Sequence, residues 1–256
     1  MMFQLCTLAS GSKGNCIFLS DGQTKILIDA GLSVKEIAAR LAKIGENPQD
    51  IDGILLSHIH SDHARGVDDF CRKYQKEVFC NRNCGREFLR ANPYESGKPF
   101  RLGGLEIEPV ALPHDTPTCD GFLIRSGKTS AAVVTDLGIC PGDVSLRLRD
   151  LDVLVVECNH DLGMLARSRY PYPLRSRIRS DRGHLSNAAC AELIERVYSE
   201  RLSDVYLAHL SEENNTPELA YYTVTGYLKD KIDLHKCRIH VSLQSQISEV
   251  YRREEE

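Results

Sequence analysis

Three histidines and one aspartate fall within His58-Ile59-His60-Ser61-Asp62-His63, a concentration of metal-ligating side chains that an ordinary polar surface seldom produces. Imidazole suits zinc, manganese or iron, and a carboxylate adds a hard oxygen for a second ion. Alternation puts His58 and His60 on one side of an extended loop and lets Asp62 and His63 turn toward a second point. His114, Asp136 and His209 each follow an apolar run. Alone, each is an ordinary residue at a strand end. With the cluster they complete two ligand sets: His58, His60 and His114 for one cation, Asp62, His63 and His209 for the other, with Asp136 bridging. Two divalent cations, Zn or Mn, held about 3.5–4 Å apart share and deprotonate one water, which is hydrolytic chemistry.

Short apolar runs alternating with amphipathic segments must position these residues. Strands are expected at Phe3–Leu8, Ile17–Ser20, Lys25–Ile28, Gly53–Ser57, Glu106–Leu112, Gly121–Arg125, Ala131–Thr135, Asp152–Glu157, Asp204–Ala208 and Cys237–Ser242. Ser33 to Ile44 reads as a helix, with Ser33 and Glu36 as a capping box and Gly45 as its stop. Further helices follow Ser186 and Thr216-Pro217. Ile26–Gly31 resembles Val133–Gly138, each ending in Asp-x-Gly, and Ile54–His58 resembles Tyr206–His209. Two related sheet-bearing halves feeding one cleft are therefore expected, within a single domain over residues 1–256.

Composition narrows the classes. Of 256 residues, 32 are Lys or Arg and 36 Asp or Glu, for a net charge of −4, so any nucleic-acid surface must be a local patch. No run approaches a membrane span in length. The 10 cysteines are scattered and, without a secretory leader, read as reduced thiols in the cytoplasm.

The order HIHSDH (58–63), His114, Asp136, His209 resembles the metallo-β-lactamase superfamily of metallohydrolases. That resemblance spans most of the chain and implies an α/β fold, the four-layer αββα sandwich, with its site at the edge of two sheets. It also puts Asp29 where this family braces the HxHxDH loop, although an aspartate there equally well begins a helix. Asp136 stands where the β-lactamases carry Cys. His114 to Asp136 leaves no room for the RNase Z arm, and Asp136 to His209 none for a β-CASP insertion. Leu8–Asn15, Glu157–Asp161, Gly183–Asn187 and Ala208–Asn215 are similar to the YycJ/WalJ branch, which implies a cytosolic phosphodiesterase acting 5′-to-3′ as an exonuclease on DNA.

Besides Asp62, His160 and His184 are the candidate catalytic residues. They occupy the places of the RNase Z histidine loops, and an imidazolium can protonate a departing alkoxide. Glu157 or Asp161 is placed to orient such a ring; bracing a loop is the plainer alternative for either histidine. The Ser10–Asn15 turn is expected to line the site. Between the two histidines lie Arg167, Arg169, Arg175, Arg177, Arg179 and Arg182, interleaved with tyrosines and opposed only by Asp181. Guanidinium groups bind phosphate and tyrosines stack on bases, so this segment points to nucleic acid, DNA before RNA. It and the terminal Arg252–Glu256 run are expected to be the most mobile parts. The reading is a binuclear phosphodiesterase using a metal-bridging hydroxide. The alternative, an ester, thioester or lactone hydrolase with the same centre, has no need of the arginines.

Overall fold

The computed structural model describes residues 2–254. The chain begins with β1 (Met2–Ala9), β2 (Cys16–Ser20) and β3 (Lys25–Ile28). Next come α1 (Val34–Lys43), β4 (Gly53–Leu55), the one-turn α2 (Ser61–Ala64), α3 (Val67–Tyr74), β5 (Glu77–Asn81) and β6 (Ala91–Tyr94). The second half runs β7 (Phe100–Leu102), β8 (Leu105–Ala111), β9 (Asp120–Ser126), β10 (Thr129–Val134), α4 (Gly142–Arg147) and β11 (Val153–Glu157). It ends with α5 (Leu162–Arg167), α6 (Tyr172–Ile178), α7 (Asn187–Val197), β12 (Asp204–Ala208), α8 (Pro217–Leu228), β13 (Arg238–Val241) and β14 (Tyr251–Glu254).

Two seven-stranded sheets result, ordered β14-β1-β2-β3-β4-β5-β6 and β13-β12-β11-β10-β9-β8-β7. Strand alternation divides their apolar residues among three cores. Phe3, Leu5, Ile26, Ile28, Phe122, Ile124, Val153 and Val155 pack between the sheets. Cys6, Leu8 and Leu27 point the other way, against Ile37 and Leu41 of α1 and Phe70 of α3. Ala132, Val134, Leu154 and Val156 do the same against α4, α7 and α8. Three cores between four layers make the αββα sandwich. Burying each such Leu, Ile or Phe stabilises it by ~1.5–3 kcal/mol.

The half-repeat holds at its first match. β2–β3 and β9–β10 are antiparallel hairpins, and β3 and β10 each pair in parallel with the next strand, β4 or β11. Asp29 and Asp136 just beyond them share left-handed backbone, with φ of 61° and 64°. The second match is off by one strand: by topology β4 corresponds to β11, which ends in Glu157, whereas Tyr206–His209 belongs to β12. The strand expected over Gly53–Ser57 stops at Leu55, because the Ser57 amide donates to the Asp29 carboxylate (2.8 Å) rather than to a neighbouring strand.

Both segments that were expected to be mobile carry regular secondary structure over the described residues. Arg167 ends α5, Arg175 and Arg177 lie in α6, and Arg169, Arg179 and Arg182 lie in the connecting turns. Arg252 to Glu254 belong to β14, paired with β1, and Glu255 and Glu256 lie outside the described residues.

The HxHxDH loop is seated on backbone. Asn15 N donates to Asp62 O (2.7 Å) and Ala30 N to His63 O (2.8 Å). A Cβ at Gly31 would sit 1.6 Å from Asp62 O. Gly31→Ala must therefore push the loop outward. Such overpacking costs about 1–3 kcal/mol, or a fall in Tm of roughly 2–12 °C. Thermal unfolding with metal analysis should show both a lower Tm and loss of bound metal; an unchanged Tm would contradict the close approach.

Candidate metal centre

Asp29 organises the first half of the site. Its carboxylate accepts the Ser57 hydroxyl (2.9 Å) and His63 Nδ1 (2.6 Å), and Ser57 Oγ in turn lies 3.0 Å from His58 Nδ1. It braces the loop and starts no helix, α1 being capped by Ser33. Glu157 organises the second half. Fully buried at the end of β11, it accepts His209 Nδ1 and His184 Nδ1 (2.8 Å each) on one oxygen, and the amides of Leu137 (3.1 Å) and Leu185 (2.9 Å) on the other. Asp161 instead caps α5 through Met164 N (2.7 Å). A partner on Nδ1 fixes the tautomer and turns Nε2 of His58, His63 and His209 inward.

The inward atoms form four groups: His58, His60 and His114; Asp62, His63 and His209; Asp136 with His58 and His63; and Asp136 with Glu157, His184 and His209, a combination the sequence did not suggest. Donor atoms within each group lie within 4.8 Å of one another. A tetrahedral ion with ligand bonds of about 2.0–2.1 Å spaces its donors roughly 3.3 Å apart. The separations here are 3.3 Å for His60 Nδ1–His114 Nε2, 3.4 Å for His209 Nε2–Asp62 Oδ2, 3.5 Å for His63 Nε2–Asp62 Oδ2 and 3.2 Å for His63 Nε2–Asp136 Oδ2. His58 Nε2 and Asp136 Oδ2 are buried without any hydrogen-bond partner, a costly state that a cation relieves. The residues fit divalent metal.

Electrostatics agree. Burial alone lowers His63, yet the Asp136 and Asp29 carboxylates hold it well above the usual imidazole range. Burial is likewise outweighed at His209, which Asp136, Asp62 and Glu157 push up to about 10. Burial raises Asp62, Asp136 and Glu157, but the surrounding imidazoles prevail and pull all three down, Glu157 to about 2. Burial prevails at His58 and His114, which are lowered. Three of the five non-glycine residues with left-handed backbone, Asp29, Asp136 and His209, sit here, the usual address of backbone strain.

A cavity of about 260 Å³ opens over the cluster, lined by Ser12, His60, Asp62, Asp136, Asn159, Tyr170, Leu174, Arg177, Ile178, His184, His209 and Ser211. The Ser10–Asn15 turn lines it as expected: Ser10 Oγ accepts His209 N (2.7 Å), and Asn15 Nδ2 lies 3.0 Å from His63 Nε2. The two candidate proton donors part company. His184 faces the cavity, its ring raised, against burial, by Glu157. His160 is buried off the cavity lining, and burial lowers it to about 4.

The arginines also divide. α6 forms a cavity wall, seated on two glycines: a Cβ at Gly138 would lie 2.0 Å from Ser180 O, and one at Gly183 2.2 Å from Ile178 O. Arg177 faces the cavity and pairs with Asp115, whose Oδ1 is 3.2 Å from His114 Nε2. Asp115 went unnoticed in the sequence, its one signal being adjacency to His114. Arg182 donates twice to His114 O (2.8 and 2.6 Å), and Arg175 to Ala166 O (2.5 Å), so both brace backbone. Arg167, Arg169 and Arg179 are exposed, with no carboxylate partner among the described residues.

The beta-lactamase superfamily domain matches residues 24–209. The chain belongs to the metallo-β-lactamase superfamily. Within it, this is a metal-dependent hydrolase with clustered ligand sites. Exodeoxyribonuclease WalJ of Streptococcus pneumoniae is 35% identical over 237 residues, covering 88% of each chain. Exodeoxyribonuclease YycJ of Bacillus anthracis is 33% identical over 240 residues, covering 90% of this chain and 91% of its own. In fold alone, the metallo-β-lactamase fold protein YhfI of Bacillus subtilis is similar, with a TM-score of 0.76 at 12% identity and coverage of 99% and 100%. No described helix is long and apolar enough to cross a membrane.

With His63 and His209 raised, both rings carry protons at neutral pH before metal enters, and a cation must displace them. Calorimetric titration of metal-free protein with Zn, in buffers of different ionisation enthalpy, should show net proton release near neutrality. Apparent affinity should rise as pH climbs toward 10. Binding without proton release would remove these two rings from the ligand set.

Proposed function

We propose that this chain is a binuclear phosphodiesterase acting as a 5′-to-3′ exonuclease on DNA, as one domain whose site draws on both sheets. The observation that carries the reading is His184. It is pinned through Nδ1 to a fully buried Glu157 and lines the cavity beside Asp136, so Nε2 is its remaining donor toward a substrate. A phosphodiester leaves as an alkoxide that needs a proton, and a raised imidazole supplies one. The names of WalJ and YycJ support nucleic acid, DNA in particular, as substrate. The direction of attack follows the motif resemblance.

Cations in the two ligand sets, Zn or Mn, supply water activation and charge neutralisation at the phosphoryl group. His58, His60 and His114 would hold one, Asp62, His63 and His209 the other, and Asp136 lies within reach of both. Asp62 is catalytic in that sense, presenting its carboxylate both to the cavity and to its neighbouring rings. His160 supports the second loop: its carbonyl accepts Asn187 N (2.9 Å) at the start of α7. Arg177 meets a substrate phosphate in place of Asp115, and Arg167, Arg169 and Arg179 continue the cationic track. Arg175 and Arg182 contribute by holding that track and the His114 loop in place. Ten unpaired, buried thiols favour a reducing cytoplasm.

Purified, Mn- or Zn-loaded protein should release terminal nucleotides stepwise from 5′ ends of labelled DNA. Turnover of a lactone or thioester with no cleavage of DNA or RNA would replace this reading with the small-molecule one. Metal analysis should give about two ions per chain, and Asp136→Ala should lose activity together with much of that metal. His184→Ala should keep its metal while losing ~10²–10⁴ in turnover on a poor leaving group. With p-nitrophenolate as leaving group the loss should shrink; equal losses on both substrates would show that His184 is not the acid.

A further inference from the structure

A second cationic feature lies outside the metal cavity. Arg125, Lys128, Arg147, Arg149, Arg201 and Arg253 line a basin of about 800 Å³. It sits at the N-terminal ends of β10, β11 and β12, whose C-terminal ends carry Asp136, Glu157 and His209. The length of β10 alone separates the two sites by about 20 Å. Four of the basin's arginines are held in place. Buried Asp152 accepts Arg201 (2.7 Å) and Arg253, and Glu108 accepts Arg147 (2.8 Å) and Arg125 (3.4 Å). Each carboxylate occupies part of two guanidinium groups, and Arg201 also donates to Lys128 O (2.7 Å). Lys128 and Arg149 are exposed and have no carboxylate partner among the described residues. Six cations thus face three acids, the third being Asp150 at the rim.

We infer that this basin binds the phosphodiester backbone of a nucleic-acid strand, as a second contact remote from the metal centre. Its shape favours a chain of phosphates over one phosphate. Glu108 lies on β8 and Asp152 immediately before β11, three strand spacings apart in the sheet order, or about 14 Å. Two fixed guanidinium pairs at that separation cannot close on a single anion, but they match separate, non-adjacent phosphates of one strand, and rigid forks lose little entropy on binding them. The choice of nucleic acid among polyanions rests on the nuclease reading. A strand with its end in the metal cavity would present phosphates here several nucleotides along.

The test uses metal-loaded protein and a long, labelled, phosphorothioate-linked oligonucleotide that resists cleavage, with a dinucleotide and pyrophosphate beside it. Lys128→Ala with Arg149→Ala removes two exposed cations that support nothing else in the fold. Log affinity for the long strand against log salt should become shallower by about 1.4–1.8, with a loss of roughly tenfold to a hundredfold at low salt. Dinucleotide binding should not change. Equal slopes for the two proteins would overturn the inference, as would parallel loss of the dinucleotide. Pyrophosphate binding wild type as tightly as the long strand, and the variant less, would make this a small-phosphate site and also overturn it. Protein that cleaves no nucleic acid yet shows the slope change would sink the nuclease reading and leave the basin standing.

Discussion

Five imidazoles crowd the metal centre with ring centroids 4.2 to 5.5 Å apart, and such a group survives burial only if carboxylates are interleaved with it. Two protonated rings at that distance repel each other, while neutral rings with inward lone pairs leave buried acceptors unsatisfied. The molecule resolves this with one bracing carboxylate from each sheet. Asp29, beyond β3, holds His63 and, through Ser57, His58. Glu157, ending β11, holds His209 and His184. Asp62 and Asp136 then stand among the inward nitrogens. Most of the remaining architecture serves to deliver those four acids to one place.

The delivery is achieved by repetition. Each half runs an antiparallel hairpin into a strand that turns parallel, and the chain leaves that strand through an aspartate in left-handed backbone. Left-handed backbone is strained for most residues but tolerated by Asp, and it swings the carboxylate across the strand end. The two halves then use the same geometry differently. Asp29 became a brace to the rings, whereas Asp136 entered the ligand cluster itself.

Charge is similarly divided. A chain that is acidic overall concentrates its arginines in two places: the α6 wall beside the site, and a basin at the opposite ends of the same strands. In both, some guanidinium groups are committed to carbonyls or carboxylates, as with Arg175, Arg177 and Arg182 in the wall and Arg125, Arg147, Arg201 and Arg253 in the basin, which fixes their orientation. The arginine segment is therefore a built wall rather than a loose arm. Its seat on Gly138 and Gly183, each close in sequence to Asp136 or His184, ties its position to the metal cluster.

The clustering of these side chains was legible in the chain because metal chemistry restricts residue type and spacing so tightly that HIHSDH with three later strand-end residues admits few other readings. The strongly periodic elements, α1, α7 and the central strands, were legible for the same reason: one residue pattern, one buried face. What stayed hidden depended on neighbours distant in sequence. β6 carries Pro93, and β14 carries three charged residues, features suited to sheet edges and invisible to a search for apolar alternation. Which of Glu157 and Asp161 meets His184, and which of His184 and His160 faces the cavity, turned on how β11 and the adjacent loops are placed. That three arginines of one run stay unpaired while one meets Asp115 and two brace backbone is equally a tertiary decision. Sequence determined which atoms could bind metal; only packing decided where each one points, because direction comes from contacts between strands that are far apart along the chain.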